Sequence, residues 1–519
     1  MRSVPRRGRA RRHLALAALA SVLLTACTAG PSARPPVVEN DGPTPQQPPS
    51  SSRQVPLPGL EEPGESRIDW SRCGTEVLDR LGERPGDSPS VSCARMTSTL
   101  DAPDLPGRGI TRIGLLKAGE GPVPLVVVND VDGEPGTLYA ARLAASMPSE
   151  LLRRFSLIGV DRRGTGTSDP VRCVPGDVRA TLLDTDPTRS FDTLLDAARV
   201  AGQQCAINLE DQQPALDSWR TAGDLDELRE QLGLRHLNAL GHGEGSRVVA
   251  LYAARYPGRV GRTVLDGVPD PSTDMVTVLD GVAAGAEATL DAFSSDCASR
   301  ECALGGDARA KVAELAEQLR ARPLSTADGI TMGAPLALRA VLQGLADRQR
   351  WPQLADAVTA ARSGDAGPLA EFVRPLLLES QDSAARLDGS LATRCNDSVT
   401  RLPADRLRRV ARELGDRHAV FGSVVAQELA WCSPWPSRAE PAPEIGVEGA
   451  PPMLVVSTAV DPVTPERGTI RAAERMPSAV RIAWQGSGHG ALTSACVMRA
   501  VRGFLVDGDV PRDGTLCPA

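Results

Sequence analysis

Residues 240–246 of the chain read Leu-Gly-His-Gly-Glu-Gly-Ser, and the organisation of the whole sequence can be worked out from them. Residues 235–240, just before the glycines, predict a short strand. After them Val248, Leu251 and Tyr252 recur at helical spacing until Pro257, which predicts a helix that ends there. A strand, a sharp glycine-rich turn and a helix therefore follow one another without a break.

The turn has the glycine spacing of a nucleophile elbow, G-x-S-x-G, in which the serine is the attacking group. In this chain the position of the serine is occupied by Gly243. An elbow holds that residue in a strained backbone conformation, at a cost of about 1–3 kcal/mol. Glycine relieves this strain because it has no Cβ. Gly243 thus favours folding of the turn while it removes the attacking atom, so we expect serine chemistry to be impaired.

The first 26 residues predict a lipoprotein signal peptide. Six arginines occur among the first twelve residues, and the apolar run at residues 14–24 is too short to span a bilayer. The run ends in Leu-Thr-Ala-Cys, which resembles a bacterial lipobox, so we predict that lipid on Cys27 holds the exported protein at the outer face of the cytoplasmic membrane. An ordinary secretory signal is the alternative, and the pair Arg11 and Arg12 leaves twin-arginine export open.

Residues 27–66 are rich in proline and serine and predict a disordered tether. Removal of residues 1–26 takes away six arginines, which moves the formal net charge from −7 to −13. An acidic chain without basic runs does not suit nucleic acid or an anionic membrane surface as a partner. We expect a monomer that reaches the membrane through Cys27 alone.

The ten cysteines other than Cys27 predict disulfides, because their number is even and the chain is exported. There is no CxxC pair and no cluster of histidine and cysteine in the sequence, so we predict neither a metal site nor a cofactor. The spacings suggest five local pairs, which are Cys73–Cys93, Cys173–Cys205, Cys297–Cys302, Cys395–Cys432 and Cys496–Cys517.

Apolar runs at residues 123–128, 155–160, 263–265 and 453–456 alternate with helical patterns. This alternation predicts an α/β fold with a doubly wound, mostly parallel sheet. Four further segments are Asp-Arg-Arg-Gly at 161–164, Tyr-Pro-Gly-Arg-Val at 256–260, Asp-Pro-Val-Thr-Pro at 461–465 and Gly-Ser-Gly-His-Gly at 486–490.

With the elbow, these segments resemble the secreted actinobacterial tripeptidyl-aminopeptidase-like group of α/β-hydrolases, which is related to the proline iminopeptidases. The resemblance covers roughly residues 67–270 and 440–519, and it implies that these two parts form the α/β-hydrolase core. Residues 271–439 show helical periodicity instead of strands, for example at 310–319, 369–378 and 407–414. The resemblance implies that they form a helical cap over the pocket.

The resemblance also implies a catalytic triad in the order nucleophile, acid, base. Asp461 matches the acid, His489 matches the base, and Gly243 stands at the nucleophile position. The loop at residues 129–136 would contribute to the oxyanion hole, and Asn129 and Glu244 are the candidate binding residues.

This loop departs from the family pattern, which favours a run of glycines after the asparagine. Asp130, Asp132 and Glu134 intervene, and carboxylates beside an oxyanion would repel it. Ser246, one helical turn after the elbow, is a poor substitute nucleophile because such residues pack or cap.

Several polar residues near the predicted site can be interpreted either as functional or as structural. His242 and Glu244 flank the elbow and either line the pocket or are merely tolerated neighbours. Asp266, after its strand, is more typical of a residue that fixes a loop than of a catalytic one. Glu371, Glu379 and Asp382 are candidates for holding a substrate amine under the cap, and solvated helix faces are the alternative.

Three functions remain open on this sequence. The first is an envelope lipoprotein that has lost peptidase activity. It would bind a peptide or a small ester-like ligand in the pocket that holds the substrate in active peptidases. The second is a working peptide or ester hydrolase in which His489 and Asp461 serve a non-standard nucleophile. The third is a structural protein whose pocket is filled. An open cleft under the cap would argue against the third function.

Overall fold

The structure is a computed structural model. The predicted signal peptide, Cys27, the tether up to residue 54 and Asp382 lie outside the described part of the chain. The described residues are 55–82, 88–380, 383–437, 444–446 and 448–519.

Ten strands form one large sheet, and two more form a small hairpin. Their bounds are β1 Ser71–Arg72, β2 Val91–Thr99, β3 Ile110–Ala118, β4 Val123–Val128, β5 Phe155–Val160, β6 Leu237–His242, β7 Val260–Asp266, β8 Leu324–Ser325, β9 Thr331–Met332, β10 Met453–Val460, β11 Ala479–Ser487 and β12 Thr515–Cys517.

The order of strands in the large sheet is β1-β2-β3-β5-β4-β6-β7-β10-β11-β12. Pairing is antiparallel from β1 through β3 to β5 and parallel from β5 to β12. This architecture confirms the predicted α/β-hydrolase fold. Parallel strands end at one edge of the sheet, so the loops after β4, β6, β7, β10 and β11 lie close together there.

Helices fill the connections between strands. Their bounds are α1 Thr75–Leu81, α2 Gly136–Ser146, α3 Ser149–Arg154, α4 Gly176–Asp184, α5 Phe191–Leu209, α6 Ser218–Gln231, α7 Glu244–Arg255, α8 Met275–Ser299, α9 Ala308–Ala321, α10 Ala334–Ala346, α11 Trp351–Arg362, α12 Gly367–Ala370, α13 Arg374–Leu377, α14 Arg386–Asp397, α15 Ala404–Arg417, α16 Gly422–Cys432, α17 Glu466–Arg475 and α18 Ala495–Arg502.

The central strands are buried on both faces of the sheet. In β4, Leu125 and Val127 face one hydrophobic cluster, which includes α2 and α18. Val126 and Val128 face another, which includes α6, α7 and α17. A strand covered on both faces is a continuous apolar run, which explains why β4 and β5 could be read directly from the sequence.

The helices of residues 271–439, which the sequence predicts to form a cap, pack together with two helices from outside that range. A third hydrophobic cluster joins helices α8 to α16 with α4 and α5, which come from the segment predicted to belong entirely to the core. Leu182, Phe191 and Leu194 are buried in this cluster. The apolar face of a helix predicts burial but not which neighbour covers it, so this packing could not be predicted from the sequence.

Two predicted helices differ from those observed. The helix expected at 369–378 is divided into α12 and α13, because Pro375 lacks an N–H group and begins a new turn. The longest helix, α8, was not singled out. Half of its eight buried positions are small residues, for example Ala283 and Ala286, and one is Glu287, so its apolar periodicity is weak in the sequence.

All five predicted disulfides are present. Residues 55–66, which the sequence assigned to the end of the tether, lie against the domain. Leu57 and Leu60 pack on the core cluster, and the Glu61 carboxylate pairs with Arg235 at 2.8 Å. Among the described residues, no helix combines the length and the apolar character needed to cross a membrane.

Candidate active site

The elbow has the backbone conformation expected of a nucleophile turn. Gly243 joins β6 to α7 with φ 55° and ψ −124°, a region that residues with a Cβ rarely adopt. Its neighbour Gly241 lies so close to α7 that a Cβ there would be 2.5 Å from the Cα of Ser246. The sequence thus keeps the geometry of the elbow although the serine is absent.

The predicted acid and base lie together. His489 Nδ1 is 3.0 Å from Asp461 Oδ2 and 3.1 Å from Oδ1. Asp461 also accepts hydrogen bonds from the backbone N–H groups of Val463 and Thr464, each at 2.8 Å. With Nδ1 donating to Asp461, the Nε2 atom of His489 remains for a partner on the other side of the ring.

That partner is Asp130, from the loop after β4. Its Oδ2 lies 2.7 Å from His489 Nε2, and its Oδ1 accepts the backbone N–H of Glu244 at 2.6 Å. A Cβ on Gly243 would overlap the Asp130 carboxylate. In α/β-hydrolases the N–H of the residue after the nucleophile is one donor of the oxyanion hole. Asp130 therefore fills the space of the missing side chain and occupies this donor.

Asp461, His489 and Asp130 form a row of three charged groups joined by hydrogen bonds, called the charged row below. Burial opposes ionisation of His489, but attraction to Asp461 and Asp130 outweighs burial and holds its pKa well above the usual range. Burial also opposes ionisation of Asp130 and Asp461, and His489 reverses that effect, so the pKa of each carboxyl is lowered. An imidazolium whose Nε2 is bonded to a carboxylate has no lone pair for accepting a proton from a nucleophile.

A second histidine–carboxylate pair lies beside the first. His242 Nδ1 is 3.1 Å from Asp266 Oδ2, and Asp266 Oδ1 accepts the backbone N–H of Ala491 at 2.8 Å. The ring of Tyr139 stacks on His242 with 5.0 Å between centroids, and the ring of His489 is 4.4 Å away. Asp266 thus fixes a loop, as expected, and also orients His242.

An open cleft of about 1890 Å³ lies above these rings. Asp130, His242 and His489 line it from the core, and Arg339, Arg394 and Glu428 line it from the cap. The cleft argues against the idea that the pocket is filled. Glu428 was not among the predicted cap carboxylates, because one glutamate on a helix gives no sequence signal that it faces inward.

The predicted binding residues both border the cleft. Glu244 lies 3.6 Å from Arg394, which also pairs with Glu428 at 2.8 Å and with Asp132 at 3.1 Å. Asn129 donates from Nδ2 to the Glu134 carbonyl at 2.8 Å, while its buried Oδ1 has no hydrogen-bond partner among the described residues. Arg394 therefore connects the cap to the elbow and to the loop after β4.

The other predicted residues lie elsewhere. Glu371 pairs with Arg374 and Glu379 pairs with Arg172 and Arg179, and neither residue is among those that line the cleft. Ser246 is fully buried in α7, where its hydroxyl points to the Asp266 carbonyl at 3.5 Å. A buried hydroxyl cannot reach a substrate in the cleft.

Comparison with known proteins confirms the resemblance that the motifs indicated. Residues 418–517 match a family described as TAP-like protein. The chain is 25% identical over 481 residues to serine protease Hip1 of Mycobacterium tuberculosis, covering 87% of this chain and 91% of that protein. It is 27% identical over 510 residues to carboxylesterase B of the same species, covering 89% and 94%. Tripeptidyl aminopeptidase of Streptomyces coelicolor is 26% identical over 405 residues, with 74% of each chain covered.

Proposed function

We propose that this α/β-hydrolase-fold chain is an exported lipoprotein that binds a peptide or a small ester-like ligand and has lost serine catalysis. The observation that carries the proposal is the position of Asp130. Its carboxylate lies where a nucleophile side chain would lie, and it bonds to both His489 and the N–H group of Glu244.

The size of the expected loss of turnover favours ligand binding over slow hydrolysis. Removal of the serine from a catalytic triad lowers turnover by about 10⁶, or roughly 8 kcal/mol of barrier. An intact oxyanion hole can retain about 10³–10⁴ over the uncatalysed reaction. Here one donor of that hole is occupied by a carboxylate, whose charge would repel a developing oxyanion.

The cleft favours a ligand that carries charge. Arg339 and Arg394 contribute positive charge to its lining, and Asp132, Glu244 and Glu428 contribute negative charge. A peptide presents both an amine and carbonyl or carboxylate groups, so it suits such a lining better than a purely apolar ligand. The names of the relatives, a tripeptidyl aminopeptidase and a carboxylesterase, agree with a peptide or an ester as the ligand class.

Hydrolysis by another nucleophile is the alternative, and one observation favours it. His489 and Asp461 keep the contact of a base and its orienting carboxylate, at 3.0 Å. Activity by this route requires Asp130 to leave Nε2 free, because His489 must accept a proton there.

The test compares wild type with Gly243→Ser and with Gly243→Ser combined with Asp130→Gly. Substrates are tripeptidyl anilides and short-chain nitrophenyl esters, and a serine-directed phosphonate reports a reactive serine. We expect no turnover by wild type and no labelling of the single variant, because Asp130 occupies the space of the new side chain. The double variant should be labelled. Ser246→Ala in the double-variant background is the control, and it should not reduce labelling.

Turnover by wild type that His489→Ala abolishes would contradict the loss of catalysis. Ligand binding is tested separately by calorimetry of wild type with the same tripeptides, without the reporter group. Heat of binding that Arg394→Gln weakens would support a peptide ligand. Absence of binding by every tripeptide would contradict it.

A further inference from the structure

Three side chains in the cleft present metal-binding atoms to one point. One donor atom each from Asp130, His242 and His489 can be chosen so that all three lie within 4.8 Å of one another. These residues are far apart in the sequence, and each comes from a different loop or strand end of the sheet. We propose that Asp130, His242 and His489 form a binding site for one Zn²⁺ ion, with an open coordination position that faces the cleft.

The first argument is that each histidine is oriented through its other nitrogen. His489 Nδ1 bonds to Asp461 and His242 Nδ1 bonds to Asp266. With Nδ1 as the donor in both rings, an unprotonated Nε2 carries the lone pair that could coordinate a metal. His489 is an imidazolium in the metal-free protein, so metal binding would release its Nε2 proton. A histidine held by a carboxylate on its remote nitrogen is the usual arrangement of a metal ligand, because the carboxylate fixes the tautomer and raises the basicity of the ring.

The second argument is that one carboxylate oxygen of Asp130 is available to coordinate a metal ion. Oδ1 is held by the N–H of Glu244 at 2.6 Å, which leaves Oδ2 directed at His489. A metal ion between them would replace the hydrogen bond. In tetrahedral Zn²⁺ sites, bonds of about 2.0–2.1 Å place neighbouring ligand atoms about 3.3 Å apart. The observed 2.7 Å between His489 Nε2 and Asp130 Oδ2 would have to increase by about 0.6 Å.

The third argument is charge. Asp130, Asp266 and Asp461 place three nearly buried carboxylates around two imidazole rings. Buried carboxylates are stable when a cation compensates them. A divalent ion supplies two positive charges without requiring either ring to be protonated.

The ligand set indicates which ion fits. Two imidazoles and one carboxylate match the three-ligand Zn²⁺ sites in which a water or a substrate atom takes the fourth position. All three side chains line the cleft, so the fourth position would be accessible to the ligand. Cys and Met ligands, which would favour softer ions, are absent from this group.

The first experiment measures stoichiometry with the full chain, purified without a polyhistidine tag and stripped with a chelator. The chain is equilibrated with Zn²⁺, and bound metal is measured by mass spectrometry and calorimetry. We expect one Zn²⁺ per chain and a loss of affinity of at least tenfold for His242→Gln, for His489→Gln and for Asp130→Asn.

Two further variants separate a built site from adventitious binding. Asp266→Asn removes no proposed ligand but replaces the carboxylate that orients His242 and that also accepts the Ala491 N–H, and it should weaken binding about 10- to 100-fold. The matched control is His418→Gln in the cap, because His418 also pairs with a carboxylate, Asp280 at 2.9 Å, but lies outside the group of three. This control should bind Zn²⁺ like wild type.

The visible absorption of Co²⁺ bound to wild type is a measurement that does not depend on the folding of any variant. Co²⁺ in the site should give the intense visible absorption of four-coordinate geometry, and Zn²⁺ should displace it. Weak octahedral absorption, binding of less than one Zn²⁺ per chain, or equal affinity in His489→Gln and wild type would each overturn the proposal.

Discussion

Asp130 is a single carboxylate that satisfies two neighbours at once, the imidazole of His489 and the N–H group of Glu244. Without it, both groups would face an empty elbow. Under the proposed loss of the nucleophile, a carboxylate from the adjacent loop makes contacts that a serine and its substrate would otherwise make. Glycine at position 243 leaves room for this carboxylate, because a Cβ there would overlap it.

The pH dependence of this contact follows from the direction of the pKa shifts. The pKa of His489 is raised, so its ionisation stabilises the fold fully below about pH 6.5, the ordinary histidine value, and the stabilisation is lost as the pH rises through the raised pKa. The pKa of Asp130 is lowered. Its contribution is full above about pH 3.9 and is lost as the pH falls through the lowered pKa.

We therefore predict that His489 is an imidazolium at pH 7.5 in chelator-treated protein. Nitrogen NMR of ¹⁵N-labelled histidine should show both ring nitrogens protonated, and Asp130→Asn should lower the pKa of His489 because one of its two carboxylates is removed. Asp132→Asn is the matched control from the same loop, since Asp132 pairs with Arg394 instead. A wild-type His489 that titrates near pH 6.5 would contradict the charged row.

At the scale of elements, a buried contact links the cap helices to a segment outside residues 271–439. Asp388 on α14 accepts the backbone N–H groups of Cys173 and Val174, at 2.8 and 2.9 Å, and the Arg179 Nε–H at 2.8 Å. Both charged side chains are almost fully buried. This contact joins the segment before α6 to α14, whereas the disulfide Cys173–Cys205 lies within that segment.

We predict that Asp388→Asn lowers the free energy of unfolding by about 3–5 kcal/mol, because it leaves Arg179 as a buried charge with less compensation. Denaturant unfolding under oxidising conditions measures the change. The matched control is Asp192→Asn, which removes an exposed carboxylate that pairs with Arg408 and should change stability by less than about 1 kcal/mol. Equal effects of the two substitutions would show that the buried pair does not hold the cap.

At the scale of the whole molecule, the proposed lipoprotein would be attached to the envelope through lipid on Cys27. The domain itself is described only from residue 55 onwards, and its first described residues pack against the core.

We predict that Cys27→Ala moves the protein from the membrane fraction to the soluble fraction of the producing cell, because the substitution removes the proposed site of lipid attachment. Fractionation and incorporation of a labelled fatty acid measure this. The neighbouring substitution Thr28→Ala is the control and should leave the protein in the membrane fraction. Wild-type protein that carries no fatty acid would contradict lipidation, and the ordinary secretory signal would then be the better interpretation.

The sequence by itself predicted the mostly parallel sheet, the glycine-rich turn and, from their spacing, the five cysteine pairs that are observed. These rest on local patterns: apolar runs for strands buried on both faces, glycines for a turn that excludes a Cβ, and cysteines close together in the chain. The family resemblance, through short motifs, indicated Asp461 and His489, which lie in contact. The tertiary structure decided the rest, because the remaining features depend on long-range packing. The packing of α4 and α5 with the cap helices, the inward position of Glu428, and the meeting of Asp130, His242 and His489 all join residues that are far apart in the chain. Only the folded sheet, which brings the ends of its parallel strands to one edge, places them in contact.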